Sequence, residues 1–134
     1  MKNVKESTFQ FTNPTLVGLE YDYSEKFSEE KEKEVTINLD MSVTVGRIKD
    51  SNEARVTLTL ILGEKSEQVP FYIKAVETAM FKWDDGLNDN VLDKLLRQNA
   101  PSLLLSYLRP IITQITAASP VDAYNIPYIN FTTN

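Results

Sequence analysis

The chain has 134 residues, 42% of them apolar, a net charge of −5, and neither histidine nor cysteine. Such a length and apolar share fit one folded domain, residues 1–134, rather than a disordered tail. The acidic balance disfavours nucleic acid and anionic membrane as partners, and the missing His and Cys remove the commonest general base, the thiolate nucleophile and most zinc ligands.

The opening residues, Met1 to Ser7, are polar and hold no apolar signal region. Residues 1–6 are expected to be disordered. No apolar run approaches the ~18 residues of a membrane span, so a cytoplasmic protein without membrane insertion is expected. Phe9, Phe11, Val17, Leu19, Tyr21 and Tyr23 share one parity and read as a first strand. It is interrupted near Asn13-Pro14, and Pro14 cannot donate to a ladder, which places this strand at an edge or a bend. Residues 24–34 are dense in Glu and Lys and read as a solvated loop. Val35, Ile37, Leu39, Met41, Val43 and Val45 alternate with polar residues, as in a strand with one wet face. Ala54 to Leu62 repeats the pattern. A fourth strand is expected from Gln68 to Trp83. Its alternation blurs at Val76–Met80, which predicts a bulge that swaps faces.

Asp84-Asp85-Gly86 reads as a turn. Asp89 or Asn90 is expected to cap a short helix with Val91, Leu92, Leu95 and Leu96 inside. Asn99 and Pro101 have the signature of a second helix start, and Pro110 predicts a kink or break within it. Ser119-Pro120 ends that helix, and Tyr124–Phe131 is extended around Pro127. Four strands followed by two helices imply an α+β fold, with an antiparallel sheet covered on one face.

Asn99–Asn134 carries only Arg109 and Asp122 as charged residues. In the long helix the apolar side chains spread over ~200°, about twice the stripe that one core needs. The surplus asks for a second layer, another subunit or a bound apolar ligand. Leu104, Leu108 and Ile112 are the candidate oligomer contacts.

Chemistry is sparse. Asp84, Asp85 and Asp89 fail the calcium-loop spacing and read as turn and cap residues. Glu77 falls where the fourth strand should be partly buried, and reads as a structural carboxylate. Tyr107 packed inward with Arg109 outward explains that pair. No catalytic residue, cofactor or metal site is expected.

Three stretches carry a likeness: Phe71 to Phe81 (Phe-Tyr-Ile-Lys-Ala-Val-Glu-Thr-Ala-Met-Phe), Asn99 to Arg109 (Asn-Ala-Pro-Ser-Leu-Leu-Leu-Ser-Tyr-Leu-Arg) and Ile126 to Phe131 (Ile-Pro-Tyr-Ile-Asn-Phe). In this order they resemble the fourth strand, long helix and Pro-x-x-Asn-Phe tail of the SecB family of protein-export chaperones. Phe11 with Pro14 is a weaker match to the first strand. The resemblance implies a homo-oligomer, a dimer of dimers with helices packed between sheets. It implies a chaperone or holdase that binds unfolded or preprotein segments in an apolar groove, without catalysis. The groove positions are Phe9, Phe11, Leu16, Leu19, Tyr21, Leu103 and Tyr107. The alternative is an adaptor dedicated to one partner protein. The chain departs from the family at Ser106, where SecB has proline, and in carrying Pro110 one turn later. The positions aligned with the acidic residues that dock SecA are Thr8, Thr12 and Lys74, and the family's final helix is missing. A shortened member that does not use the usual SecA contacts is expected.

Overall fold

The computed structural model describes residues 7–28 and 35–132. Strands β1 (Phe9–Tyr23), β2 (Leu39–Arg47), β3 (Glu53–Gly63) and β4 (Phe71–Trp83) form one antiparallel sheet in the order β1-β4-β3-β2. The strand carrying Pro14 is an edge strand, as its missing N–H requires. A four-residue helix α1 (Glu25–Ser28) stands inside the charged stretch read as loop, with Lys26 bridging Glu67 at 2.9 Å. The expectations for residues 1–6 and for the rest of that loop, 29–34, lie outside the described residues.

β2 starts at Leu39 rather than Val35 because its partner runs out. Leu39 pairs with Leu62, and Gly63 then turns with φ +71. A Cβ on Gly63 would fall 2.0 Å from the Phe71 carbonyl oxygen, so only glycine fits that approach.

The predicted face-swapping bulge in β4 is not there. β4 pairs with β3 without interruption from Tyr72 to Lys82, and Phe71, Ile73, Ala75, Glu77, Ala79, Phe81 and Trp83 are all buried. The blur came from Glu77, a carboxylate at a core position. The irregularities lie in β1. Its register to β4 shifts between Thr12 and Thr15 and again between Leu16 and Gly18. Each shift inserts one extra residue in β1, so Phe11, Leu16 and Leu19 all meet the helix-side row of β4 although their parity alternates.

The two expected helices are one. α2 (Asp89–Lys94) passes through a π turn (Leu95–Asn99) into α3 (Ala100–Ala117). Asn99 is helical, φ −73 and ψ −43, and caps nothing; the cap is Asn88, whose side chain accepts from Asn90 N–H. Pro101 has no N–H for the Arg97 carbonyl, and the wider π turn lets Ala100 N–H reach Leu95 O instead. α3 also continues through Pro110 without a break.

The helix covers one face of the sheet. Val56, Leu58, Leu60, Leu62, Ile73, Leu104, Leu108 and Ile112 are fully buried between the layers. The other face is mostly polar, with Ile61, Val76 and Met80 among its side chains. In its middle Thr15, Thr78, Thr57 and Thr44 form a row across all four strands.

Candidate functional site

At ~100° per residue, α3 presents a buried stripe with a different flank on each side. The stripe is Leu104, Leu105, Leu108, Ile112 and Thr116. These include the expected oligomer contacts. Leu104, Leu108 and Ile112 have no exposed area in the single chain, because their own sheet covers them.

On one flank Arg109, Thr113 and Thr116 hold the C-terminal segment. Arg109 donates to the Ile126 carbonyl and, at 3.0 Å, to that of Pro127. Thr113 Oγ1 stands 3.4 Å from the Tyr124 carbonyl and 3.1 Å from Asn125 Oδ1, and Tyr124 N–H donates to Thr116 Oγ1 at 2.8 Å. Ile126 is buried, and Val121, Tyr124, Ile129 and Phe131 pack on the core. The chain's own tail thus supplies part of the second layer that the wide apolar arc demanded.

On the opposite flank Leu103, Tyr107, Ile111 and Ile115 form an i, i+4 ridge that is only half-buried or exposed. At Tyr107 this ridge meets β1. Tyr107 meets Phe11 edge-on, with ring centroids 6.4 Å apart. Tyr107 is 41% exposed and Arg109 is tied down, the reverse of the orientation expected from sequence.

The seven groove candidates divide by environment. Phe9 stacks on Phe81 at 5.3 Å and on Trp83 at 6.3 Å, and buttresses one end of the sheet. Phe11, Leu16, Tyr21 and Leu103 are half-buried against the core. Leu19 is 48% exposed although it pairs with Ala75 on the helix-side row. The structure brings Phe11 and Tyr107 together and sets Leu103 one turn before Tyr107. Sequence reasoning missed Val17, 59% exposed at the second bulge, and Ile111 and Ile115. The i+4 spacing from Leu103 was the available signal for the two isoleucines.

Beneath this edge sits Glu77. It is 2% exposed, its cross-strand neighbours are Leu16 and Leu58, and its Oε1 has no hydrogen-bond partner. Burial pushes its carboxyl above the usual range. The Asp cluster has structural partners: Asp85 accepts from Asn52 Nδ2 at 2.6 Å. Among the described residues no group of three or more His, Cys, Asp or Glu stands close enough to hold a metal. No helix of the described residues is long and apolar enough to cross a membrane.

Apolar side chains thus stand exposed along an edge strand and the adjoining helix flank. The family described as preprotein translocase subunit SecB matches residues 17–133, and the chain belongs to that family. Among solved structures it is similar to the Mycobacterium tuberculosis SecB-like chaperone Rv1957, determined in complex with a ChAD peptide from the Rv1956 HigA1 antitoxin. The TM-score is 0.71 at 13% identity, over 90% of each chain. A protein of unknown function from Streptococcus agalactiae aligns over 90% of this chain and 97% of its own, with 12% identity and a TM-score of 0.49. No curated protein sequence matches the chain.

Proposed function

We propose that this SecB-family protein binds unfolded or preprotein segments as a chaperone, without catalysis, in the groove between β1 and the Leu103–Ile115 ridge. The observation that carries the reading is the exposure of Val17, Leu19 and Tyr107, at 59%, 48% and 41%, on an edge strand and the helix flank beside it. Fully burying one such side chain contributes about 1.5–3 kcal/mol. Half-burial of two by a client therefore contributes roughly the same total, and each ~1.4 kcal/mol is a factor of ten in affinity. The test is Leu19→Ser combined with Tyr107→Ser, assayed by suppression of aggregation of several unrelated unfolded proteins. The double variant should fold, since both side chains are substantially exposed, and should hold clients about tenfold more weakly. A folded variant that holds them as well as the parent would remove the groove from this edge.

A second reading, an adaptor for one partner, is favoured by the relative solved with an antitoxin peptide. Protection of a single protein, with no effect on unrelated ones, would select it. The half-covered ridge of Leu103, Ile111 and Ile115 also supports a homo-oligomer, to be measured by equilibrium sedimentation at micromolar concentration. Thr8, Thr12 and Lys74 are exposed and none is acidic, so docking to SecA through those positions is not expected.

A further inference from the structure

Among the described residues, two buried side-chain polar atoms lack a hydrogen-bond partner: Tyr21 Oη and Glu77 Oε1. Both belong to the helix-side face of the β1–β4 pair. Tyr21 is paired with Ile73, and Glu77 with Leu16. Between them on that face lies the pair of Leu19 and Ala75, one side chain half exposed and the other small. One orphan is a hydroxyl that can donate and the other a carboxyl oxygen that can accept. Leaving such groups unpaired in a core costs about 1–3 kcal/mol each, a cost that a purely structural core would shed.

We infer that Tyr21 and Glu77 are a main-chain anchor in the floor of the groove, taking a C=O and an N–H of an extended client segment. This rests on the polypeptide-binding reading. The β4 positions concerned, Ile73 and Glu77, are four residues apart, or ~13 Å along a strand, which is two repeats of the main-chain pattern of an extended peptide. The β1 neighbour of Glu77 is Leu16, and it is the most releasable part of β1. A one-residue bulge lies on each side of it, Thr12 to Thr15 and Leu16 to Gly18, so its ladder is already broken at both ends. Ala75 and Ala79, on either side of Glu77 in the same row of β4, are small. Anchoring the main chain rather than a side chain suits a site that accepts many sequences.

The test uses a fluorescein-labelled synthetic peptide of alternating leucine and serine, and copies with single backbone N-methyl groups, titrated by anisotropy. With the parent protein, N-methylation at one position should weaken binding about tenfold, the loss of one hydrogen bond to a buried acceptor. Glu77→Leu should bind the unmethylated peptide about tenfold more weakly and should lose the penalty at that position. Glu77→Gln keeps an acceptor and should behave like the parent, and Tyr21→Phe should weaken binding several-fold while keeping the ring. A folded Glu77→Leu protein that binds like the parent, or that still shows the N-methyl penalty, overturns the anchor. If Glu77→Leu fails to fold, Tyr21→Phe and the N-methyl series on the parent decide it. A parent protein that holds whole unfolded clients but shows no N-methyl effect sinks the anchor alone. One that binds neither peptide nor clients sinks the groove as well.

Discussion

Replacing Pro110 with alanine should stabilise the protein. α3 runs from Ala100 to Ala117 through this proline, which has no N–H to give to the Ser106 carbonyl four residues earlier. Pro110 is exposed, so its ring adds little to the core. A proline in a helix interior is about 3 kcal/mol worse than alanine. Against that, alanine frees the unfolded chain, which costs about 0.4–1 kcal/mol. The net is about 2 kcal/mol in favour of alanine. At ~2.1 cal/mol/K per residue the unfolding entropy of 134 residues is roughly 280 cal/mol/K, so the midpoint should rise by about 7 °C. Thermal melts followed by circular dichroism, with urea midpoints beside them, measure this. Gln114→Ala, one turn later on the exposed side, is the control and should change stability by no more than about 0.5 kcal/mol. A Pro110→Ala protein with an unchanged or lower midpoint would refute the reasoning. The bend or ring contacts of the proline would then be part of how α3 seats on the sheet.

Leu108 is fully buried beneath α3, so Leu108→Ala should cost about 2–5 kcal/mol in urea unfolding. It should leave the sedimentation mass unchanged, because the side chain never reaches the surface. Glu77→Gln addresses pH. A carboxyl whose folded pKa is raised by burial contributes stability that is fully present below the unfolded pKa and is lost as pH rises through the folded one. Parent stability should therefore fall as pH climbs from the ordinary Glu range to the raised value. The Gln variant should lack this component, and parallel urea series across that window will show whether the two curves separate.

The strands were legible in sequence because the sheet has one wet face, so Leu39–Val45 and Ala54–Leu62 alternate cleanly. β4 misled because periodicity reads chemistry, not geometry: the strand is regular, but Glu77 occupies a core position where an apolar residue was expected. The first real bulge sits at the Asn13-Pro14 interruption that the sequence showed, whereas the second was visible only as a parity that changes again from Leu16 to Leu19, which needs the partner strand to interpret. The join between α2 and α3 was misread because Asn99-Ala100-Pro101 has the chemistry of a helix start. A π turn satisfies the same proline without ending the helix. The candidate site was half legible. Leu19 and Tyr107 stand exposed on adjoining elements, while Leu104, Leu108 and Ile112 were assigned to a partner that their own sheet replaces.

That replacement follows from how α3 divides its cover by chemistry. Its polar flank has one cation and two hydroxyls, Arg109, Thr113 and Thr116, and these bind carbonyls and an N–H of a backbone that arrives without helix or strand of its own. An extended tail around Pro127 offers such groups, and Arg109 takes two consecutive carbonyls of it. The apolar flank is the ridge of Leu103, Tyr107, Ile111 and Ile115, where the Tyr107 hydroxyl is the one polar side-chain group. What it favours is apolar area from another chain, and it lies beside the edge strand whose ladder is broken twice. A client or a second copy that settles there meets β1 first and need not displace the tail. The two flanks are separate surfaces, and a substitution that releases the tail at Arg109 should leave the β1 side of α3 intact.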